Sequence, residues 1–228
     1  MDYQIKRARR KTAAIHVTPQ GVEVRVPYGV DVNWVDSFVL SKRQWIARQQ
    51  QKLAQHQQDT PTLAWGEPIL FLGQPRTLTF ASQSRLAHGK IQIELVEQQL
   101  MVSAREKPDL VTLKAAIEAW FKAQAKAYIP QLVYARCQQL GVMECLNQIR
   151  FRRTKTKWGH CTSTGNLQFN WQIMGASPAV VDYLVCHEVS HLLEHNHSKR
   201  FWAHVASVCP DYNQHRQWLK QHGHKLIW

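Results

Sequence analysis

The chain has 228 residues, 44% hydrophobic and 20% charged, which is globular composition with enough length to bury a core and excludes an intrinsically disordered chain. No apolar run approaches the ~20 residues of a membrane span, and the basic start MDYQIKRARRKTAAIHV has no apolar stretch behind it, so neither a membrane partner nor a secretory signal is expected. The formal charge of +13, from 29 Lys and Arg against 16 Asp and Glu, favours anionic partners: nucleic acid, nucleotides or an acidic protein surface.

In chain order, the first third reads as strands and turns. Ile15 and Val17, then Val22, Val24 and Val26, alternate as in two short strands, with Pro19-Gln20-Gly21 as the turn between them. Asp31 to about His56 predicts a helix, since Val32, Val35, Phe38, Val39, Trp45 and Ile46 recur at helical spacing, and Pro61 ends it. Short alternating runs between Leu63 and Arg105, such as Arg76–Phe80 and Ile91–Leu95, predict further antiparallel strands.

Lys107-Pro108-Asp109 marks a boundary, giving a β-rich N-terminal region with one helix over 1–107 and a second domain over 108–228. Leu110 to Leu140 predicts a long helix, with a kink or break at Pro130 and a stop at Gly141. Gln148–Trp158 and Leu167–Ile173 are strand-like, with Leu167, Phe169, Trp171 and Ile173 on one face. Ser177-Pro178 then opens a helix, serine as the cap and proline at its first position.

The five cysteines, Cys137, Cys145, Cys161, Cys186 and Cys209, are odd in number and contain no CxxC pair. This speaks against a disulfide framework and a cysteine zinc site, and for a reduced, cytoplasmic protein in which they are small buried hydrophobes. A thiol hydrolase built on Cys186 and His187 is disfavoured, because adjacent helix residues do not face each other.

The helix that starts near Pro178 carries the chemistry. His187-Glu188-Val189-Ser190-His191 is HExxH: residues i and i+4 share a helix face, so two imidazoles can grip one ion while Glu188 polarises a water and takes its proton. A third protein ligand is expected. His195 would sit about 12 Å along a straight helix from His187, too far for one ion. His197 is the better candidate: Asn196 suits a left-handed helix end, and Ser198 suits the cap of a following helix from Lys199 to about Val208. Glu194 is its rival.

HExxHxxxxxH with the overlapping NHSxxFW resembles the YgjP-like metal-dependent hydrolases, related to SprT-like and WLM peptidases among the zincins. The segment Arg153-Thr154-Lys155-Thr156-Lys157-Trp158-Gly159-His160-Cys161 is similar to that family's R-x-K-x-x-W-G-x-C, and Asn170, Pro178, Tyr183, Cys209–Tyr212 and Arg216–Leu219 also fall on its pattern. The resemblance is specific over residues 150–223. It implies an α+β, zincin-like domain with the active helix beside a small antiparallel sheet, one zinc ion on His187, His191 and His197, and Glu188 as general base. His160 departs from the family, which has serine there; it reads either as an extra polar group at the cleft or, the favoured reading, as an exposed loop residue.

Arg153, Lys155 and Lys157 alternate, so on a strand they form one cationic face, either a solvated edge or an anion-binding wall near the metal. With Trp158 and Asn170 they are the candidate substrate-binding residues. The leading expectation is a zinc-dependent metallopeptidase acting on peptide or protein. A nucleoside triphosphate pyrophosphatase using the same metal and base is the alternative, motivated by the cationic strand. A nucleic-acid-binding protein with structural zinc is the second. Imidazole ligands also suit Mn, Ni and Co.

Overall fold

The computed structural model describes residues 2–154 and 156–228, so Lys155 lies outside the described residues. The fold is α+β and falls into two compact units, Met1–Thr60 and Pro61–Trp228. Lys107-Pro108 is a link inside the second unit, because the strands before it and the helices after it bury their side chains in one core.

In the first unit, β1 (Gln4–Ala8), β2 (Ala14–Thr18) and β3 (Gly21–Pro27) form a sheet with β3 central, antiparallel to β2 and parallel to β1. Val22, Val24 and Val26 alternate inward from β3 onto Val35, Val39 and Ile46. Two helices, α1 (Val32–Ser41) and α2 (Arg43–Asp59), stand where the sequence predicts one. The break falls at Lys42, whose φ of −105° and ψ of 6° leave the helical region, and the Ser41 hydroxyl donates to the Phe38 carbonyl beside it. β1 has no apolar alternation and escapes a reading based on periodicity, since its residues are mostly exposed.

In the second unit, β4 (Pro68–Phe71), β5 (Gln74–Ser82), β6 (Ile91–Val96) and β7 (Gln99–Ala104) form a sheet ordered β4-β5-β7-β6. It is mixed rather than antiparallel throughout, because β5 and β7 run parallel. Helix α3 (Leu110–Leu140) starts on the Asp109 carboxylate, which accepts from the Thr112 N–H at 2.7 Å, and ends on Gly141 at φ 67°. It is unbroken at Pro130, where the Gln131 side-chain amide donates to the Ala127 carbonyl at 3.0 Å.

Its buried residues, Leu113, Ile117, Phe121, Ala125, Ile129, Val133 and Cys137, recur every four positions. At 3.6 residues per turn such a row advances ~40° per step and winds roughly 240° around the helix over its length. One helix therefore packs against β6, β8, a 3₁₀ turn, α4 and α5 in turn.

A second sheet in this unit carries β8 (Gln148–Arg152), β9 (Gly159–Cys161) and β10 (Asn166–Asn170), with β10 central, antiparallel to β9 and parallel to β8. This sheet, too, is mixed rather than antiparallel. The strand predicted over Gln148–Trp158 stops at Arg152, and that over Leu167–Ile173 stops at Asn170. There the Asn170 side chain accepts from the Gln172 N–H and starts a buried 3₁₀ turn over Trp171–Gly175.

Helix α4 (Pro178–Ser190) follows, buried on most sides, then α5 (Lys199–Val208) and α6 (Tyr212–His222). Among the described residues no helix is long and apolar enough to cross a membrane.

Candidate metal centre

The last turn of α4 presents His187 and Glu188, and the helix ends at Ser190 with His191 as its cap. His191 keeps helical backbone angles, φ −68° and ψ −15°, so the i, i+4 geometry survives the helix end. The chain then turns: the Leu193 and Glu194 N–H groups both donate to the Ser190 carbonyl at 3.1 Å. The helix thus stops before Glu194 and His195. Asn196 is not left-handed. Its side-chain oxygen instead accepts from the Ser198 N–H at 2.9 Å, and its amide donates to the Glu194 carboxylate at 2.7 Å. The Ser198 hydroxyl caps α5 by accepting from the Phe201 N–H at 3.3 Å. This short turn carries His197 back to the helix.

The ring nitrogens of His187, His191 and His197 lie within 4.8 Å of one another. His187 Nε2 faces His197 Nε2 at 3.2 Å. Two nitrogens bound tetrahedrally at ~2.05 Å to one zinc ion would be about 3.3 Å apart, so this pair already has the spacing of ligands. His191 Nδ1 lies 3.0 Å from the Glu194 carbonyl, which can only accept; Nδ1 therefore carries the proton and Nε2 keeps its lone pair. Burial, then the neighbouring imidazoles, push His187 down to about 3, and burial lowers His191 as well. Both are neutral near pH 7, the form that binds a metal. The donor set fits a divalent ion such as zinc.

Phe201, fully buried, is the floor of the site. Its ring stacks on His191 at 4.4 Å and meets His187 and His197 edge-on at 4.9 and 4.8 Å. Trp202 stacks on His197 at 5.8 Å and on Tyr212 at 5.1 Å, with the Arg216 guanidinium 4.5 Å over the indole.

Glu188 is 4% exposed and its Oε2 has no hydrogen-bond partner. Burial raises it to about 8, partly offset by Lys157. The carboxylate fits because residue 159 is glycine: a Cβ there would lie 2.3 Å from Glu188 Oε1 and 2.6 Å from its Cγ. Both line a cavity of about 260 Å³ with Lys157, His160, Cys161, His187, His191, His195 and His197.

The description "YgjP-like, metallopeptidase domain" matches residues 11–222. The chain belongs to the YgjP-like metallopeptidase family. Membership makes it a metal-dependent hydrolase of the metallopeptidase class. No curated protein matches it. Among solved structures it is similar to the zymogen of the metallopeptidase abylysin from Pyrococcus abyssi, at 21% identity over 40% of this chain and 93% of that one, with a TM-score of 0.37. It is also similar to the zymogen of jannalysin from Methanocaldococcus jannaschii, at 19% identity over 38% and 90% of the two chains, with a TM-score of 0.32.

In the R-x-K-x-x-W-G-x-C segment the described residues Arg153, Thr154, Thr156, Lys157 and Trp158 are loop rather than strand. Asn170, 2% exposed, holds it: its amide donates to the Thr154 carbonyl at 3.2 Å, and its N–H to the Trp158 carbonyl at 2.7 Å. The Thr154 hydroxyl in turn donates to the Lys157 carbonyl. Arg153 pairs with Glu118 at 2.5 Å and donates to the Trp228 carbonyl at 3.1 Å. Trp158 lies against Gly223. Of the described basic and aromatic candidates only Lys157 reaches the cavity wall. Sequence reasoning missed Phe201 and Gly159 as parts of the site. Their signals were the FW of NHSxxFW and a glycine inside a short strand.

Proposed function

We propose that the chain is a zinc-dependent peptidase in which His187, His191 and His197 hold the ion and Glu188 is the general base. The observation that carries this reading is the convergence of three imidazole nitrogens within 4.8 Å beside a buried, unpartnered carboxylate oxygen in one cavity. When bound, a zinc ion supplies Lewis acidity toward a carbonyl and lowers the pKa of water. The charge of a bound ion would favour the carboxylate form of Glu188 against the burial that raises it, and Glu188 Oε2 would then take the proton of the attacking water and return it to the leaving amine. The Glu194 carbonyl fixes the His191 tautomer, Phe201 fixes the three ring planes and excludes water beneath them, and Gly159 leaves room for the carboxylate.

All of these residues lie within 108–228, which we assign as the hydrolase stretch of the second unit; of the β-rich 1–107 that precedes it, residues 61–107 share its core. Asn170, Trp158 and Arg153 shape the loop that presents Lys157 to substrate. The five unpaired cysteines favour a reducing, cytoplasmic setting.

The test is metal content and turnover of three proteins. The parent should hold about one zinc per chain, His191→Ala little, and Glu188→Gln should keep the metal while losing peptide hydrolysis. Full activity of Glu188→Gln refutes the general-base role. Hydrolysis of nucleoside triphosphates and of no peptide refutes the peptidase assignment.

A further inference from the structure

The charges around the cavity are one-sided. Among the residues lining it, Glu188 is the sole carboxylate and is buried, whereas Lys157, His160 and His195 are exposed on its walls. The Glu194 carboxylate does not line the cavity and makes no ion pair with Lys157 among the described residues; it accepts from the Asn196 amide. Lys157 takes part in no ion pair among the described residues, although Arg153, four positions earlier, is held by Glu118. The Lys157 backbone is anchored by the Thr154 hydroxyl, and Thr154 by Asn170, so the root of the side chain is fixed while the exposed residue lines the cavity. The cavity, about 260 Å³, is smaller than the ~300–1,000 Å³ typical of small-molecule pockets. It suits one residue of an extended chain better than a whole nucleotide.

We propose that Lys157 sets substrate specificity: with His160 and His195 beside it, its ammonium receives a substrate carboxylate next to the scissile bond. The carboxylate belongs either to an acidic side chain or to a free C-terminus. The choice of a peptide as its carrier rests on the peptidase reading above; the anion-binding role of Lys157 does not. An ammonium on a flexible stem is a point charge that accepts a carboxylate without demanding bidentate geometry. Basic peptides are repelled by the same wall.

The experiment measures binding by calorimetry to the zinc-loaded full chain carrying Glu188→Gln, which holds substrate without turning it over. Four alanine-based hexapeptides serve as probes: a central Glu with amidated C-terminus, a central Lys with amidated C-terminus, and all-Ala peptides with free and with amidated ends. The central-Glu or the free-acid peptide should bind about ten-fold tighter than the central-Lys peptide at low salt. Attraction and repulsion each contribute a few-fold at an exposed site, and the ratio should shrink toward unity at 0.5 M salt.

Which of the two binds tighter identifies the source of the carboxylate. Lys157→Gln should flatten the preference and Lys157→Glu should reverse it, with both exposed-site variants keeping their zinc. Equal affinities, or a preference unchanged in Lys157→Glu, overturn the proposal, as does a nucleoside triphosphate binding tighter than every acidic peptide. If the parent cleaves no peptide but the charge-dependent order holds, the peptidase reading falls and the anion-binding role of Lys157 stands.

Discussion

Replacing Gly159 with alanine tests whether the room left for Glu188 matters to turnover. The added Cβ would lie 2.3, 2.5 and 2.6 Å from Glu188 Oε1, Cδ and Cγ, all well inside the ordinary van der Waals range of 3.4–4 Å. Gly159 does not occupy the left-handed region, so alanine fits its backbone, and the whole penalty falls on the carboxylate. Glu188 must therefore move by about 1 Å or more, in surroundings that leave it 4% exposed. Overpacking of this kind costs ~1–3 kcal/mol of stability. A misplacement of about 1 Å of a reacting group costs on the order of 10²-fold in rate, or ~2.7 kcal/mol of transition-state stabilisation.

The assay is kcat/KM on a cleaved peptide, with metal content and Tm measured on the same preparation. Activity should fall about a hundred-fold with zinc retained, since neither residue is a ligand. Shortening the acid in Gly159→Ala/Glu188→Asp should restore much of the Tm, because the clash is removed even though the base is displaced. Unchanged activity in Gly159→Ala, or loss of metal with loss of activity, refutes the reasoning.

Phe201→Ala should cost ~3–5 kcal/mol of stability and weaken zinc binding, read by melting and by competition with a chromogenic chelator, while Phe201→Leu should do much less of both. Removing the metal from the parent with a chelator should lower its Tm without unfolding the chain at 25 °C, because the ligand loop has its own hydrogen bonds. Readdition at 1,000 times the dissociation constant should restore ~4 kcal/mol. Asn170→Ala removes the amide held to the Thr154 carbonyl and should cost ~1–3 kcal/mol. It should also raise KM more than it lowers kcat, since the loop it frees carries Lys157 and not a metal ligand.

Much of the site was legible because its geometry is local. HExxH needs only the helical repeat to bring two imidazoles together, and the Ser198 cap that returns His197 is written in adjacent residues. The turn before it was misread: Asn196 acts through its side chain rather than a left-handed backbone, and nothing in the composition of LLEHN distinguishes the two. The long α3 and the α+β class followed from apolar spacing. The parallel neighbours in all three sheets did not, because alternation tells which residues share a face and not which strand lies beside them. Arg153 and Lys157 look alike in the sequence. Only the fold brings Glu118 to one and the cavity to the other. Gly159 owes its role to a contact 29 positions away, which no local pattern encodes.

The winding row of buried residues on α3 makes that helix the shared spine of the larger unit. Different layers cover it at successive levels, over about two thirds of its circumference in all, so no segment of it can open without stripping side chains from the next. The unit therefore lacks a seam along which it could unfold in parts, and its amides from Leu113 to Cys137 should exchange with solvent only through global opening. A metal centre on α4, as proposed, would inherit that cooperativity, because α4 packs along this spine and stays in register for as long as the unit is folded at all.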